Sequence, residues 1–368
     1  MKVCHISTVH ARYDNRIFNK QCSTLAENGY DTHLIIADGL GDEVKNGVHI
    51  WDIGKEAGRF ERIRNSTKKA FQKALDIEAD LYQLHDPELL PIGMKLKKRK
   101  KIVVFDSHED FRTQISIRPY LPWGIRHAMG KAYGVYENYA FKRLDGIVVP
   151  QKSMVDYFNH LNPKTSWVGN SMVIDEDYPL DQKDYTNRTC YHPGSISKSR
   201  GILNMVKTMS YLNDPKDKLI LAGPFDSDSL KTEAMNTTGW DKVDYLGKLP
   251  FPEVKKYHKE ASAGLIMFEK TGQYHFAYTV KLFEFMFYGN AVIIPDFGEW
   301  LEFNQEFRCG INVDTDKHEE VAEIIDDLHR NPEKKKELGQ RGQKAVLESL
   351  NWNTDTKRLL EFYNSLKR

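Results

Sequence analysis

Short apolar runs recur along the chain and alternate with stretches of helical period. The runs are Lys2–Ser7, His33–Ala37, Leu81–His85, Ile102–Ser107 and Ile147–Pro150. After a polar break they resume as Thr189–His192, Leu219–Ala222, Val243–Leu246, Gly264–Phe268, Ala291–Pro295 and Gly310–Val313. Several of them (LIIA, IVVF, IVVP, VIIP) are apolar throughout rather than alternating. Strands buried on both faces of a helix-covered parallel sheet have this pattern. The segments between them, such as Asn19–Asn28, Phe60–Ala74 and Pro252–Ala261, have helical length. Strands alternating with helices predict βαβ units, hence an α/β fold of doubly wound parallel sheets.

The polar, acidic break over residues 167–188 has little helical period and reads as a linker. After it, Thr189–Gly194 restarts the strand-then-loop opening seen at Lys2. The pattern predicts two Rossmann-like domains, residues 1–166 and 189–350. Ligands of such sheets lie at the carboxyl ends of strands, so a cleft where the domains face each other is the expected site. The last segment, 351–368, has apolar Leu359, Leu360, Phe362, Tyr363 and Leu366 at helical spacing. It either continues the second domain or crosses back to the first.

Composition narrows the class. The 368 residues suffice for two ordinary domains, and 40% hydrophobic with 29% charged residues is ordinary for a soluble globular protein. The net charge of +1 gives no sign of a nucleic-acid partner. No apolar run approaches the ~18 residues of a membrane span. Met1 leads straight into a strand, which leaves no room for a signal peptide. The four cysteines, Cys4, Cys22, Cys190 and Cys309, are scattered and fit a reducing cytoplasm. The basic run Lys95–Lys101 is either a solvated helix end or a patch facing anionic lipid. The second reading needs a membrane-contacting element, for which Arg118–Trp123 is the candidate; the same element would also serve as a lid over a substrate.

The strongest chemical signal lies between Thr279 and Gly289. Thr279 is a good N-cap and Gly289 a good stop, which predicts a short helix over 280–288. The helix is apolar nearly all round, yet Glu284 sits in its middle. A buried carboxylate needs a partner: ribose hydroxyls would serve, and so would an Arg or Lys of the protein. The helix start, with the amides of Val280 and Lys281, is a ready anion site. A second phosphate-handling candidate is the strand-to-helix turn Gly194–Gly201 (GSISKSRG), where small residues allow close approach and Lys198 and Arg200 supply charge.

Four pieces in order, GSISKSRG at 194, LAGPF at 221, YLGKL at 245 and TVKLFEFMFYG at 279, resemble the C-terminal domain of glycosyltransferase family four, retaining enzymes of GT-B architecture. The resemblance extends over essentially the whole chain. HARYDNRIFNK at 10, LHDPELL at 84 and DSHED at 106 are similar to members that build bacterial capsule, cell-wall or exopolysaccharide chains. The ending LNWNTDTKRLLEFY resembles the family's terminal crossing helix, which favours packing of 351–368 on the first domain.

The resemblance implies that Arg200 binds the donor diphosphate and Glu284 its ribose. Gly194, Ser195, Lys198, Thr279, Val280 and Lys281 would face the phosphate or sugar, and the backbone near Leu249 would hold the base. His108, with Glu109 beside it, would lie at the sugar end as the His–carboxylate pair to test for direct chemistry. His10, Asp14 and Arg16 would border the acceptor. The family often has a second Glu eight positions before the ribose-binding one; here that position is Phe276.

No Asp-x-Asp motif stands where a metal-bound diphosphate would need it, and Lys198, Arg200 and a helix dipole can offset leaving-group charge. The expected activity is therefore retaining, metal-independent transfer, with no cofactor and a UDP-sugar favoured as donor. The acceptor would be a saccharide or lipid-linked oligosaccharide. The protein would be cytoplasmic or peripheral at the inner face of the membrane, through its N-terminal domain. A donor-binding but inactive partner subunit and a nucleotide-sugar epimerase are the competing readings.

Overall fold

The computed structural model describes residues 1–108, 123–176, 178, 183–275 and 278–367. It divides into two compact units, Met1–Asn170 with Trp352–Arg368, and Ser171–Asn351. The boundary falls inside the stretch read as a linker, so that residues 167–170 belong to the first unit.

The first unit is built on β1 (Lys2–Ile6), β2 (Asp31–Ile36), β3 (Glu43–Lys45), β4 (Val48–Asp52), β5 (Leu81–Leu84), β6 (Ile102–Asp106), β7 (Gly146–Val149) and β8 (Thr165–Trp167). They form one sheet in the order β3-β4-β2-β1-β5-β6-β7-β8. Every pairing is parallel except β3 with β4. The continuous apolar runs feed two cores because successive side chains point to opposite faces. From β6, Ile102 and Val104 join Val3, Leu81 and Val148 on one face, while Val103 and Phe105 join Cys4, Ile6 and Leu84 on the other. The first face is covered by the C-terminal helix Trp352–Ser365 through Leu359, Phe362 and Tyr363. Gly146 permits that contact: a Cβ there would lie 2.6 Å from the Phe362 ring.

The second unit is an all-parallel sheet of β9 (Thr189–Pro193), β10 (Lys218–Ala222), β11 (Val243–Tyr245), β12 (Ala263–Leu265), β13 (Ala291–Pro295) and β14 (Gly310–Val313), in the order β11-β10-β9-β12-β13-β14. In β13, Ala291 and Ile293 enter one core, and Val292 and Ile294 the other.

Strand order reverses between β1 and β5 in the first unit and between β9 and β12 in the second. Chain segments leave such a pair toward opposite sides, which opens a crevice at the carboxyl ends. Among the described residues, no helix is long and apolar enough to cross a membrane. The basic run ends the helix Leu90–Lys98, where Lys97 pairs with Asp145 at 2.7 Å and Lys95 and Arg99 lie over the Phe71 ring. Residues 118–122 of the expected membrane-contacting element lie outside the described residues.

Candidate functional site

In the second unit, β9 runs into the turn 194–201 at the crevice. Two glycines allow this turn to pack as it does. A Cβ on Gly201 (φ +78°) would lie 1.7 Å from the Met267 carbonyl oxygen, and one on Gly223 (φ +148°) 1.9 Å from that of Gly194. Within the turn, Ser195 donates to Asp226 at 2.9 Å, and the Arg200 guanidinium donates to the Ser195 carbonyl at 3.0 Å. Lys198 is exposed.

The helix Val280–Phe287 brings a second cation to the same place. Thr279 caps it, accepting from the Lys281 amide at 3.3 Å. That amide is therefore spent on the cap rather than free for an anion, a correction to the sequence reading. What Lys281 offers instead is its buried ammonium. A Cβ built on Gly194 would find Lys281 Nζ at 3.7 Å and Arg200 Nη1 at 3.9 Å, so both cations converge on that glycine. His192 orients the lysine. Its Nδ1 donates to the Leu265 carbonyl at 2.7 Å, which leaves Nε2 to accept from Lys281 at 3.0 Å. Among the described residues, no carboxylate lies within ion-pair distance of Arg200 or Lys281. Burial, and after it the Arg200 charge, pulls Lys281 well below the usual lysine range.

Glu284 lies one turn further along the helix, partly exposed, with its carboxylate 3.5 Å from His258 Nε2. The protein partner shown is thus a histidine, where an Arg or Lys was the alternative weighed from sequence. Leu249 is partly buried against the core on that side of the sheet. Phe276 lies outside the described residues.

In the first unit, the carboxyl ends of β1, β5 and β6 gather His10, Asp86, His85, Asp106 and His108. Asp86 accepts from the Thr8 amide at 2.6 Å and stands 3.1 Å from His10 Nδ1. Burial lowers the proton affinity of His10, but its hydrogen bond and charge interaction with Asp86 outweigh that and hold it above the usual value. Asp14 caps the wide-turned helix Asn15–Cys22, accepting from the amides of Arg16 and Ile17. Arg16 departs from its expected place at the acceptor border. It is buried, donates to both oxygens of Asp106 at 2.7 and 3.0 Å, and donates to the carbonyls of Val168 and Gly169. Burial works against the Asp106 charge, but Arg16 and the nearby histidines hold the carboxyl well below its usual range. His108 is mostly buried, and burial above all brings it down to about 3. Glu109 lies outside the described residues.

His85, Asp106 and His108 present ligand atoms within 4.8 Å of one another, a grouping able to hold a metal ion. Its carboxylate already takes two bonds from Arg16 and one from Gln21 at 2.7 Å.

Residues 180–345, within the second unit, match the family described as Glycosyl transferases group 1. No curated protein matches the chain by sequence. Solved structures resemble it at low identity. Sucrose-phosphate synthase from Thermosynechococcus elongatus superposes with a TM-score of 0.74 at 14% identity, covering 99% of this chain and 98% of that one. A glycosyltransferase from Rickettsia africae gives 0.76 at 13%, covering 99% and 98%. HepE from Anabaena, crystallised with UDP and glucose, gives 0.75 at 13%, covering 99% and 100%. The fold is GT-B.

Sequence reasoning named the Lys281 amide and overlooked its side chain, and it missed His192, His85 and Asp106. A usable signal was present: His5, His85, His108 and His192 all fall within or just after the ends of buried strands, where an apolar filler is the ordinary choice.

Proposed function

We propose that the protein is a retaining glycosyltransferase that moves a sugar from a nucleoside-diphosphate donor, UDP favoured, to a hydroxyl of a saccharide or lipid-linked acceptor in bacterial surface-polysaccharide synthesis. One observation carries the reading: Arg200 and Lys281 converge beside Gly194 with no carboxylate of the described residues within ion-pair distance. Two adjacent cations, one of them the buried Lys281, are costly until an anion arrives. A diphosphate would fit, and Glu284 on the same helix would take the ribose hydroxyls. The family match over 180–345 and the UDP complex of HepE support that donor class.

In this reading the acceptor hydroxyl attacks from the face the nucleotide leaves, and the departing phosphate takes its proton. Arg200 and Lys281 stabilise the charge growing on the leaving diphosphate, so the chemistry needs no metal ion. The protein's contribution is positioning and electrostatics rather than a side-chain nucleophile.

The test is incubation with a panel of nucleotide sugars in EDTA, with and without sugar acceptors. Release of nucleoside diphosphate, faster with an acceptor, is expected. Interconversion of the sugar without release would make the protein an epimerase, and binding without turnover a donor-binding subunit. Activity abolished by EDTA and restored by Mg²⁺ would contradict the metal-free chemistry.

A further inference from the structure

Phe60, in the first unit, is 90% exposed, more than any other large apolar side chain of the described residues. Ile63, one turn further on, is 39% exposed. Both lie on a helical stretch that starts at Arg59–Glu61, widens over Arg62–Ser66 and continues as the helix Thr67–Ile77. The buried face of that stretch is carried by Ser66, Ala70, Ala74 and Ile77, so packing asks for no Phe at position 60. A solitary exposed apolar residue is ordinary, but this one has company. Leu40, 74% exposed, sits on the loop after β2. That loop touches the segment leading to Phe60: a Cβ on Gly39 would lie 3.4 Å from the Cβ of Lys55.

The charge around these side chains is one-sided. Between residues 55 and 73, seven Lys and Arg face two Glu. The acidic Asp76 and Glu78 come at the far end of the helix, several turns from Phe60. The run Lys95–Lys101 adjoins the same helix, because Lys95 Nζ and the Arg99 guanidinium lie 5.3 and 5.9 Å from the ring centre of Phe71. Part of the charge is met within the protein: Arg62 donates to Glu88, Lys69 to Glu56 and Lys97 to Asp145. Arg64, Lys68, Lys98 and Lys100 are exposed.

We propose that residues 59–64, with the basic residues beside them, are a docking surface for an anionic lipid bilayer. Phe60 and Ile63 enter the acyl boundary, while the Arg and Lys heads meet the headgroup phosphates. A nucleic acid would use the same charge but gain nothing from the aliphatic Ile63 and Leu40. The placement bears on the substrate. Arg62 holds Glu88, and Glu88 accepts from Thr8 at 2.7 Å, on the loop that carries His10. Docking therefore brings the carboxyl-end crevice of the first unit next to the bilayer, which selects a lipid-linked acceptor over a free saccharide. That choice rests on the glycosyl-transfer reading; the docking does not.

Flotation of the full-length protein with vesicles of equal parts phosphatidylglycerol and phosphatidylcholine, and with phosphatidylcholine alone, tests the docking. Binding is expected to the anionic vesicles only, and to weaken as salt rises. Phe60→Ser should weaken it about ten-fold or more, the worth of one buried aromatic ring. Arg64→Glu combined with Lys68→Glu should cost at least as much. These side chains are exposed, so thermal unfolding should be unchanged in both variants. Phe251→Ser, which removes an exposed ring with a Lys over it from the second unit, should leave vesicle binding intact. No binding to the anionic vesicles, equal binding to neutral ones, or folded variants that bind like wild type would each overturn the proposal. So would an RNA oligonucleotide that binds more tightly than the vesicles and is lost in the same variants. A protein that docks as stated but transfers no sugar to any acceptor keeps the docking and refutes the functional reading. Transfer to free saccharides as fast as to lipid-linked ones would refute the acceptor choice.

Discussion

Each unit places an arginine beside the carboxyl ends of its strands, and the two arginines meet opposite surroundings. Arg16 is locked on Asp106 by two charged hydrogen bonds, with the carbonyls of Val168 and Gly169 taking the two donors of its Nη1. Arg200 meets one carbonyl and a second cation, Lys281, and among the described residues no carboxylate within ion-pair distance. Both units have GT-B-type parallel sheets with a crevice where strand order reverses, so the difference lies in side chains alone. In the first unit the chain supplies its own counter-charge, Asp106. In the second, no carboxylate of the described residues lies within ion-pair distance of either cation, and the proposed function assigns that place to a ligand's charge.

If that contrast is right, the two arginines fail differently. Arg16→Ala leaves Asp106 buried and uncompensated, so it should lower unfolding free energy by about 3–5 kcal/mol. Denaturant unfolding reads this, and replacing Asp106 by Asn in the same variant should recover part of it. A loss below about 1 kcal/mol would mean that the pair is no more than a surface contact in energetic terms.

Glu284 sharpens the comparison, because it is a carboxylate on the same helix as Lys281 whose protein partner shown is His258. Glu284→Gln should weaken nucleoside diphosphate binding roughly ten- to hundred-fold, the worth of ~1.5–3 kcal/mol for a charged hydrogen bond to ribose. The fold should survive. Unchanged affinity in calorimetry would confine Glu284 to contacts within the protein.

Lys281 gives the smallest effect and the clearest sign. Its proton affinity is depressed by burial and then by Arg200. Between the folded value and the unfolded value of ~10.4, the unfolded chain holds a proton that the folded one sheds, so stability rises with pH across that window. Lys281→Met removes the group. At neutral pH the free protein should gain on the order of 1 kcal/mol, and that slope should flatten, while diphosphate binding weakens. The same linkage predicts that diphosphate, by favouring the charged lysine, is bound with proton uptake and less tightly as pH rises. A Lys281→Met protein less stable than wild type would show the lysine to be a supporting contact.

The sheet interiors were legible in the sequence because strands buried on both faces must be apolar throughout, as IVVF and VIIP are. The strands overlooked, Glu43–Lys45, Val48–Asp52 and Thr165–Trp167, lie at or next to sheet edges and mix polar with apolar residues, so no continuous run marks them. The helix Asn15–Cys22 begins ahead of its expected start because Arg16, Lys20 and Gln21 read as solvent-facing. They are buried only because Asp106 and Asn170 wait for them far along the chain. The donor-side residues were legible as a motif, since turn, cap and helix are local. The buried polar partners of the first unit were not: Tyr363 read as one more apolar position of a terminal helix, and only the fold sets it against His5.

If Arg200 and Lys281 form an anion site, a diphosphate should complete the second unit. Calorimetric titration of the protein with UDP and with uridine, in EDTA, tests it most directly. UDP should bind on the order of a hundred-fold more tightly than uridine, and Arg200→Ala should erase most of that gap while leaving uridine affinity alone. Equal affinity for the two ligands, or a UDP advantage that survives Arg200→Ala intact, would contradict it.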